Sequence, residues 1–218
     1  MGQATIRKAG RRPRVSREQV LDAALEIADS GGLAAVTMAN VGAQLGVEAM
    51  SLYRHIGNKE EMLDGLVDRV FTEIEVPAEE GDWREALRRR AVSAHAALRR
   101  HPWAIGLMES RAQPGPATLG HHDAMVGLLF GAGFDGRGAT RVYNLLDSYI
   151  YGFALQEATL PFSSPEEMAA ASEQMLARLA DAYPNLARVQ RELVGSGFDY
   201  ADEFEAGLEI ILGALPDP

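Results

Sequence analysis

Apolar residues recur at helical spacing along most of the chain, and capping residues, glycines and prolines cut that pattern into segments. Ser16 precedes a stripe of Val20, Leu21, Ala24, Leu25 and Ala28 that stops at Gly31 and Gly32, which predicts a first helix. Thr37 caps a second helix, with Met38, Val41 and Leu45 at helical spacing and Gly46 supplying the left-handed residue that ends it. A third starts near Val47 and Glu48, keeps Val47, Leu52 and Ile56 on one side and ends at Gly57. Ala49, Met50, Ser51, Tyr53 and Arg54 are left facing outward. Asn58 caps a fourth helix, running from Lys59 to Ile74. Two short helices joined by a glycine turn and followed by a capped helix are the sequence form of a helix-turn-helix. The first helix is the cover that two short helices cannot provide for themselves.

The same punctuation continues. Pro77, Glu79, Glu80 and Gly81 mark a break, Asp82 caps a helix reaching about Arg100, and Pro102 starts another through Ser110. Residues 113 to 120 are loop-like, 121 to 131 are helical, and 131 to 138 form a second break. From 139 to 160, Val142, Leu145, Leu146, Tyr149, Ile150 and Phe153 give a long helix a wide apolar face, and Gly152 on it would let a partner approach closely. Ser164 caps a helix from Glu166 to about Tyr183, a shorter one ends at Gly195 to Gly197, and the last, from 200 to 215, carries Phe204, Leu208, Ile211, Leu212 and Leu215. No strand pattern and no internal repeat is present, so the expected fold is all-α.

The run Leu52-Tyr53-Arg54-His55, with Asn58-Lys59 and Leu63, resembles the N-terminal domain of the tetracycline-repressor (TetR) family of bacterial regulators over residues 14 to 66. Residues 83 to 215 resemble, in helix order and length, the ligand-binding and dimerisation domain of the tetracycline-repressor branch. The resemblance implies a three-helix DNA-binding domain at 16–65, behind a basic flexible arm at 1–15, and a larger helical ligand-binding and dimerisation domain at 66–218. It further implies that the two long late helices bury their faces in a four-helix bundle with a second copy, although the interior of their own domain would serve as well. A symmetric homodimer would set two reading heads about 34 Å, or a multiple of it, apart on double-stranded DNA carrying a palindromic operator. Two departures matter. Where the branch often has a DNA-contacting basic residue early in the second helix, this chain has Ala39. Where the branch has a histidine that helps hold a magnesium-bound drug, this chain has none between Trp103 and Arg111. The operator therefore does not carry over, and the expected effector is some other small, largely apolar molecule.

Charge sharpens the division. The chain has 218 residues, 47% of them apolar, and a net charge of −10, which by itself argues against nucleic acid. The first 17 residues, however, carry Arg7, Lys8, Arg11, Arg12, Arg14 and Arg17 and no acid, whereas residues 63 to 218 hold 13 basic against 24 acidic residues. A basic arm including Arg12 and Arg14 can reach the backbone or a minor groove, or it can be a merely solubilising tail. The absence of cysteine excludes disulfides and thiolate metal sites, no apolar stretch is long enough to span a bilayer, and the polar, basic start lacks a secretory core. These features predict cytoplasmic residence and no membrane association.

Residue roles follow from type and position. Ala49, Met50 and Ser51 are expected at base edges, the first two against thymine methyls. Tyr53, His55 and Lys59 are expected on phosphates, with Thr37 placed to donate to one. Trp103, Leu107, Met108, Tyr143, Asn144, Asp147 and Tyr151 mix aromatic bulk with a few polar groups on helices that would line a bundle cavity, and are the candidate effector residues. His121, His122 and Asp123 are adjacent and point about 100° apart, so they do not form a metal site. No GxSxG, HExxH or phosphate loop is present, and neither an enzyme nor a cofactor is expected. The reading is a ligand-responsive DNA-binding transcriptional regulator, a repressor. Its rival is a helical small-molecule binding or protein-interaction module that does not read DNA sequence.

Overall fold

The computed structural model describes residues 15–77, 81–108, 110–161, 165–179, 182–193 and 200–218. Arg12, Arg14 and the rest of the basic arm before Val15, the Ser164 cap and the glycines at 195 and 197 lie outside the described residues. Among the described residues every regular element is helical, as the periodicity predicts. The chain divides into two compact units, one ending at Leu66 and the other beginning at Val67.

In the first unit, α1 (Arg17–Ala35) opens with a reciprocal cap: the Gln19 amide donates to Ser16 Oγ at 3.2 Å and the Ser16 amide donates to Gln19 Oε1 at 3.0 Å. The helix is interrupted at the predicted stop, and helical winding resumes beyond it to Ala35. Its break is confined to Gly32, at φ 70°, a conformation glycine adopts without a Cβ clash. The Asn40 amide donates to Thr37 Oγ1 at 3.1 Å to open α2 (Met38–Gln44). Gly46, at φ 66°, turns the chain into α3 (Ala49–Leu52). This third helix is shorter than predicted. After Leu52 the winding tightens, with the His55 amide bonding the Leu52 carbonyl at 2.8 Å, and Ile56 folds into the core at 1% exposure. Val20, Ala24, Val41, Leu52, Met62 and Leu66 are fully buried here. α4 (Lys59–Thr72) begins in this unit and ends in the next.

The second unit contains α5 (Trp83–Arg100), a short 3₁₀ turn (Pro102–Ala104), α6 (Ile105–Met108), α7 (Pro116–Ala132), α8 (Gly136–Ala158), α9 (Pro165–Leu179), α10 (Pro184–Leu193) and α11 (Tyr200–Ala214). α8 packs on α5, α7 and α11, and Leu87, Leu98, Met125, Leu129, Leu146, Ile150 and Leu208 form the centre of the core. α7 starts at Pro116, inside the segment predicted to be loop. Its first turn is capped from α4, where Asp68 Oδ1 accepts the Thr118 amide at 2.8 Å and the Thr118 hydroxyl at 3.1 Å. α8 starts at Gly136, three residues earlier than predicted, because Asp135 Oδ1 accepts the Gly138 amide at 2.7 Å. Val142, Leu146 and Ile150 are buried as expected, but Leu145 of the same predicted face is 45% exposed. No helix among the described residues is long and apolar enough to cross a membrane.

Candidate nucleic-acid interface and buried polar cluster

The turn between α2 and α3 is held by the Val47 amide, which donates to the Gly42 carbonyl at 2.9 Å. A Cβ on Gly42 would sit 2.9 Å from the Val47 oxygen, so the two helices cross at a contact that only glycine fits. This crossing shapes a concave surface of about 1060 Å³ that includes Ala39, Ala43, Gly46, Ala49, Ser51, Arg54 and His55. The sequence-predicted Ala49, Ser51 and His55 are thereby brought together. Met50, 76% exposed, and Tyr53, 47% exposed, project to solvent and are not part of that lining. Ser51 donates its hydroxyl to the Glu48 carbonyl at 2.7 Å, leaving it an acceptor toward any partner. The Thr37 oxygen accepts the α2 cap bond and retains its proton to donate.

Lys59 is exposed, with Nζ 3.5 Å from the Leu33 carbonyl. The α4 N-terminus beside it is already partly satisfied: the Glu61 amide donates to Asn58 Oδ1 at 2.8 Å, and the Gly57 amide donates to Glu61 Oε2 at 2.7 Å. Lys59 itself, and less the helix end, is the group available to a phosphate. Arg54, also exposed, was not among the predicted contacts although it belongs to the same concave surface.

Of the predicted effector residues, Met108 and Asp147 are buried, and Trp103, Leu107, Tyr143 and Tyr151 pack partly buried against the core. Asn144 is on the exposed side of α8. Asp147 is ion-paired with Arg90 of α5, and the Tyr151 hydroxyl donates to Asp147 Oδ2 at 3.4 Å. Burial disfavours the Arg90 charge, but the Asp147 carboxylate outweighs it, and the guanidinium pKa is raised. His121, from α7, is 1% exposed; burial, and then the nearby Arg90 charge, push its pKa down to about 4, so the imidazole is neutral at pH 7. Burial and the Asp147 charge push the Tyr143 hydroxyl pKa up. The Phe71 ring, from α4, lies 5.5 Å from both His121 and His122, and His122 lies 5.3 Å from Tyr143.

Arg90 and His121 belong to this cluster but are not among the effector residues expected from the sequence. Arg90 follows Arg88 and Arg89, a run that reads as a solvated face. Its phase was the available signal, because Ala86, Arg90, Ala94 and Ala97 recur at helical spacing and all are buried.

Residues 20–66 match the family described as bacterial regulatory proteins, tetR family, and residues 76–215 match the tetracyclin repressor-like C-terminal domain. The HTH-type transcriptional repressor DrrR1 of Streptomyces coeruleorubidus is 33% identical over 94% of this chain and 79% of its own length. The tetracycline repressor protein class C of Escherichia coli is 27% identical over 93% and 91%. Among solved structures, the Streptomyces coelicolor TetR family protein ActR in complex with actinorhodin aligns with a TM-score of 0.79 at 27% identity, covering 93% of this chain and 96% of that one.

Proposed function

The chain belongs to the TetR family of bacterial regulatory proteins, and from that premise we propose that it is a cytoplasmic, homodimeric repressor that a small molecule releases from a palindromic operator. The observation that carries the DNA-reading half is the exposed α2–α3 surface, on which Met50 stands clear of the core with Arg54 and His55 nearby in sequence. In this reading Ala49, Met50 and Ser51 approach bases. Thr37, Tyr53, His55 and Lys59 hold phosphates, together with Arg12 and Arg14 of the arm. Its repressor character and its small-molecule control are supported by the relatives, one named a transcriptional repressor and one crystallised with actinorhodin.

Dimerisation is supported by apolar residues that the chain leaves uncovered. Leu145 and Leu155 on α8 are 45% and 53% exposed, and Ile210 on α11 is 74% exposed. Gly152 and Gly213 on the same two helices have open space where a Cβ would be. Large apolar groups beside small ones are what a partner helix packs against.

The switch would run through α4. Its C-terminal half is tied to α7 by Asp68 on Thr118 and by Phe71 against His121. The turn after it is tied to α5, where Glu73 accepts from Arg100 at 2.7 and 2.9 Å and meets His101 Nε2 at 3.0 Å. An effector in the Arg90–Asp147 cluster that favours one setting of these contacts biases α4, whose first turn carries Lys59. A coupling of about 1–3 kcal/mol changes operator affinity roughly 5- to 150-fold.

Light scattering at micromolar concentration tests the assembly. The expected mass is twice that of the chain, and Leu145→Asp with Ile210→Asp yields a folded monomer whose DNA affinity is lower by more than about tenfold. A wild-type monomer, or a monomeric variant with full affinity, contradicts the reading.

A further inference from the structure

Arg90 is held with its side chain fully shielded from solvent, and its Nη1 is committed to Asp147. Nε and Nη2 of the same guanidinium have no hydrogen-bond partner. Those two nitrogens share one edge of the group, the fork that meets a pair of oxygens with two parallel N–H bonds. From α7, His121 is 1% exposed and neither ring nitrogen makes a well-formed hydrogen bond, and from α8 the buried Tyr143 hydroxyl, close to the Asp147 carboxylate, makes none either. Native proteins retain few such buried, unmade bonds, and here three helices direct them into one cluster.

Counting groups decides the chemistry. The open positions are the three N–H bonds of the Arg90 edge, the Tyr143 O–H and one N–H of neutral His121, against two acceptors, the free imidazole nitrogen and the Tyr143 oxygen. The site is rich in donors. Charge decides the rest, because Asp147 already neutralises Arg90 and a second carboxylate would leave a buried net negative charge. An uncharged acceptor pair incurs no such penalty. Phe71, against His121 and His122, and Tyr143, against His122, supply flat apolar surface beside the polar groups.

We infer that this cluster is the head-group subsite of the effector and takes an uncharged, flat aromatic molecule with two neighbouring oxygen acceptors, of the hydroxyquinone or aryl diketone class, along the Nε–Nη2 edge of Arg90. The assignment rests on the reading of the chain as ligand-responsive and gives that reading its ligand class. Tyr143 and His121 donate to the outer oxygens, and Asp147 positions the guanidinium so that its fork faces the ligand.

The test is direct binding of 1,8-dihydroxyanthraquinone and of 2-anthracenecarboxylate to the full-length protein, followed by quenching of tryptophan emission. The quinone is expected to bind about 10- to 100-fold more tightly, the range of one charge-assisted hydrogen bond. Arg90→Met with Asp147→Leu, which removes both charges together, brings the two probes within about threefold. Tyr143→Phe, which removes one donor and no charge, weakens the quinone several-fold and leaves the carboxylate unchanged. The inference is overturned if the quinone does not bind, if the carboxylate binds as tightly, or if the preference survives in Tyr143→Phe and the double variant alike. The same preparations are assayed for palindromic DNA. Sequence-specific binding without probe preference removes only the subsite, whereas loss of sequence-specific binding removes the regulator reading and leaves the probe result standing.

Discussion

Arg90 and Asp147, 57 positions apart in sequence, form an ion pair whose side chains are 0% and 6% exposed. Removing one partner from such a pair strands the other, whereas replacing both with apolar residues of similar size is often nearly neutral. Arg90→Met is therefore expected to lower stability by about 3–5 kcal/mol, and Arg90→Met with Asp147→Leu to recover most of it. Urea denaturation of the three proteins reads the difference. Equal loss in the single and double variants would contradict the account of the pair.

His121 makes stability depend on pH in a defined window. Its imidazole is neutral in the folded protein down to about pH 4, held so by burial and then by the charges of Arg90 and His122, with Asp147 opposing them. In the unfolded chain it protonates near its ordinary value of about 6.5. The unfolded state therefore binds the extra proton between these values. The contribution is present in full above about pH 6.5 and is lost progressively as pH falls toward 4, by about 3 kcal/mol in all. The melting temperature of His121→Leu is expected to fall less over this window than that of the wild type; parallel curves would refute the assignment.

Gly42 tests the geometry of the reading head. Gly42→Ala places a methyl group against the Val47 carbonyl and the Ala49 backbone, at 2.9 to 3.3 Å. Forcing the α2–α3 crossing apart is expected to lower stability by about 1–3 kcal/mol and to weaken DNA binding even where the variant remains folded. An anisotropy titration that finds full affinity would mean that the crossing does not set the reading surface.

Lys59 and Met50 separate affinity from preference. Lys59→Ala is expected to weaken binding to all sequences alike and to reduce the salt slope by about one per protomer, as one phosphate contact is lost. Met50→Ala, at a residue 76% exposed, is expected to alter the ranking of sequences at constant slope. Identical behaviour of the two variants on specific and random DNA would contradict the division of roles.

Most elements of the fold were legible because their signals are local. Ser16 with Gln19, Thr37, Gly46 and Asn58 are caps and turns that act within a few residues, and each operates in the structure as its chemistry dictates. The misplaced boundary at Pro116 has the opposite origin. Its cap is Asp68, 50 residues away, so no local window contains it. The same limit hid Arg90, whose meaning depends on Asp147 across the bundle, while Arg88 in the same run pairs with Glu205 and Glu209 at the surface. Leu145 belongs to a face that periodicity marks as apolar without identifying whether the domain interior or a second copy covers it.

Selection of bound fragments from random double-stranded DNA by the full-length protein, at two salt concentrations, decides whether this chain reads DNA sequence. The expected result is an inverted repeat with half-sites about one helical turn, or a multiple of it, apart, recovered at both concentrations and bound less tightly at the higher. Recovery without any common motif, or no recovery at the lower salt, would contradict the assignment of this chain as a sequence-specific regulator.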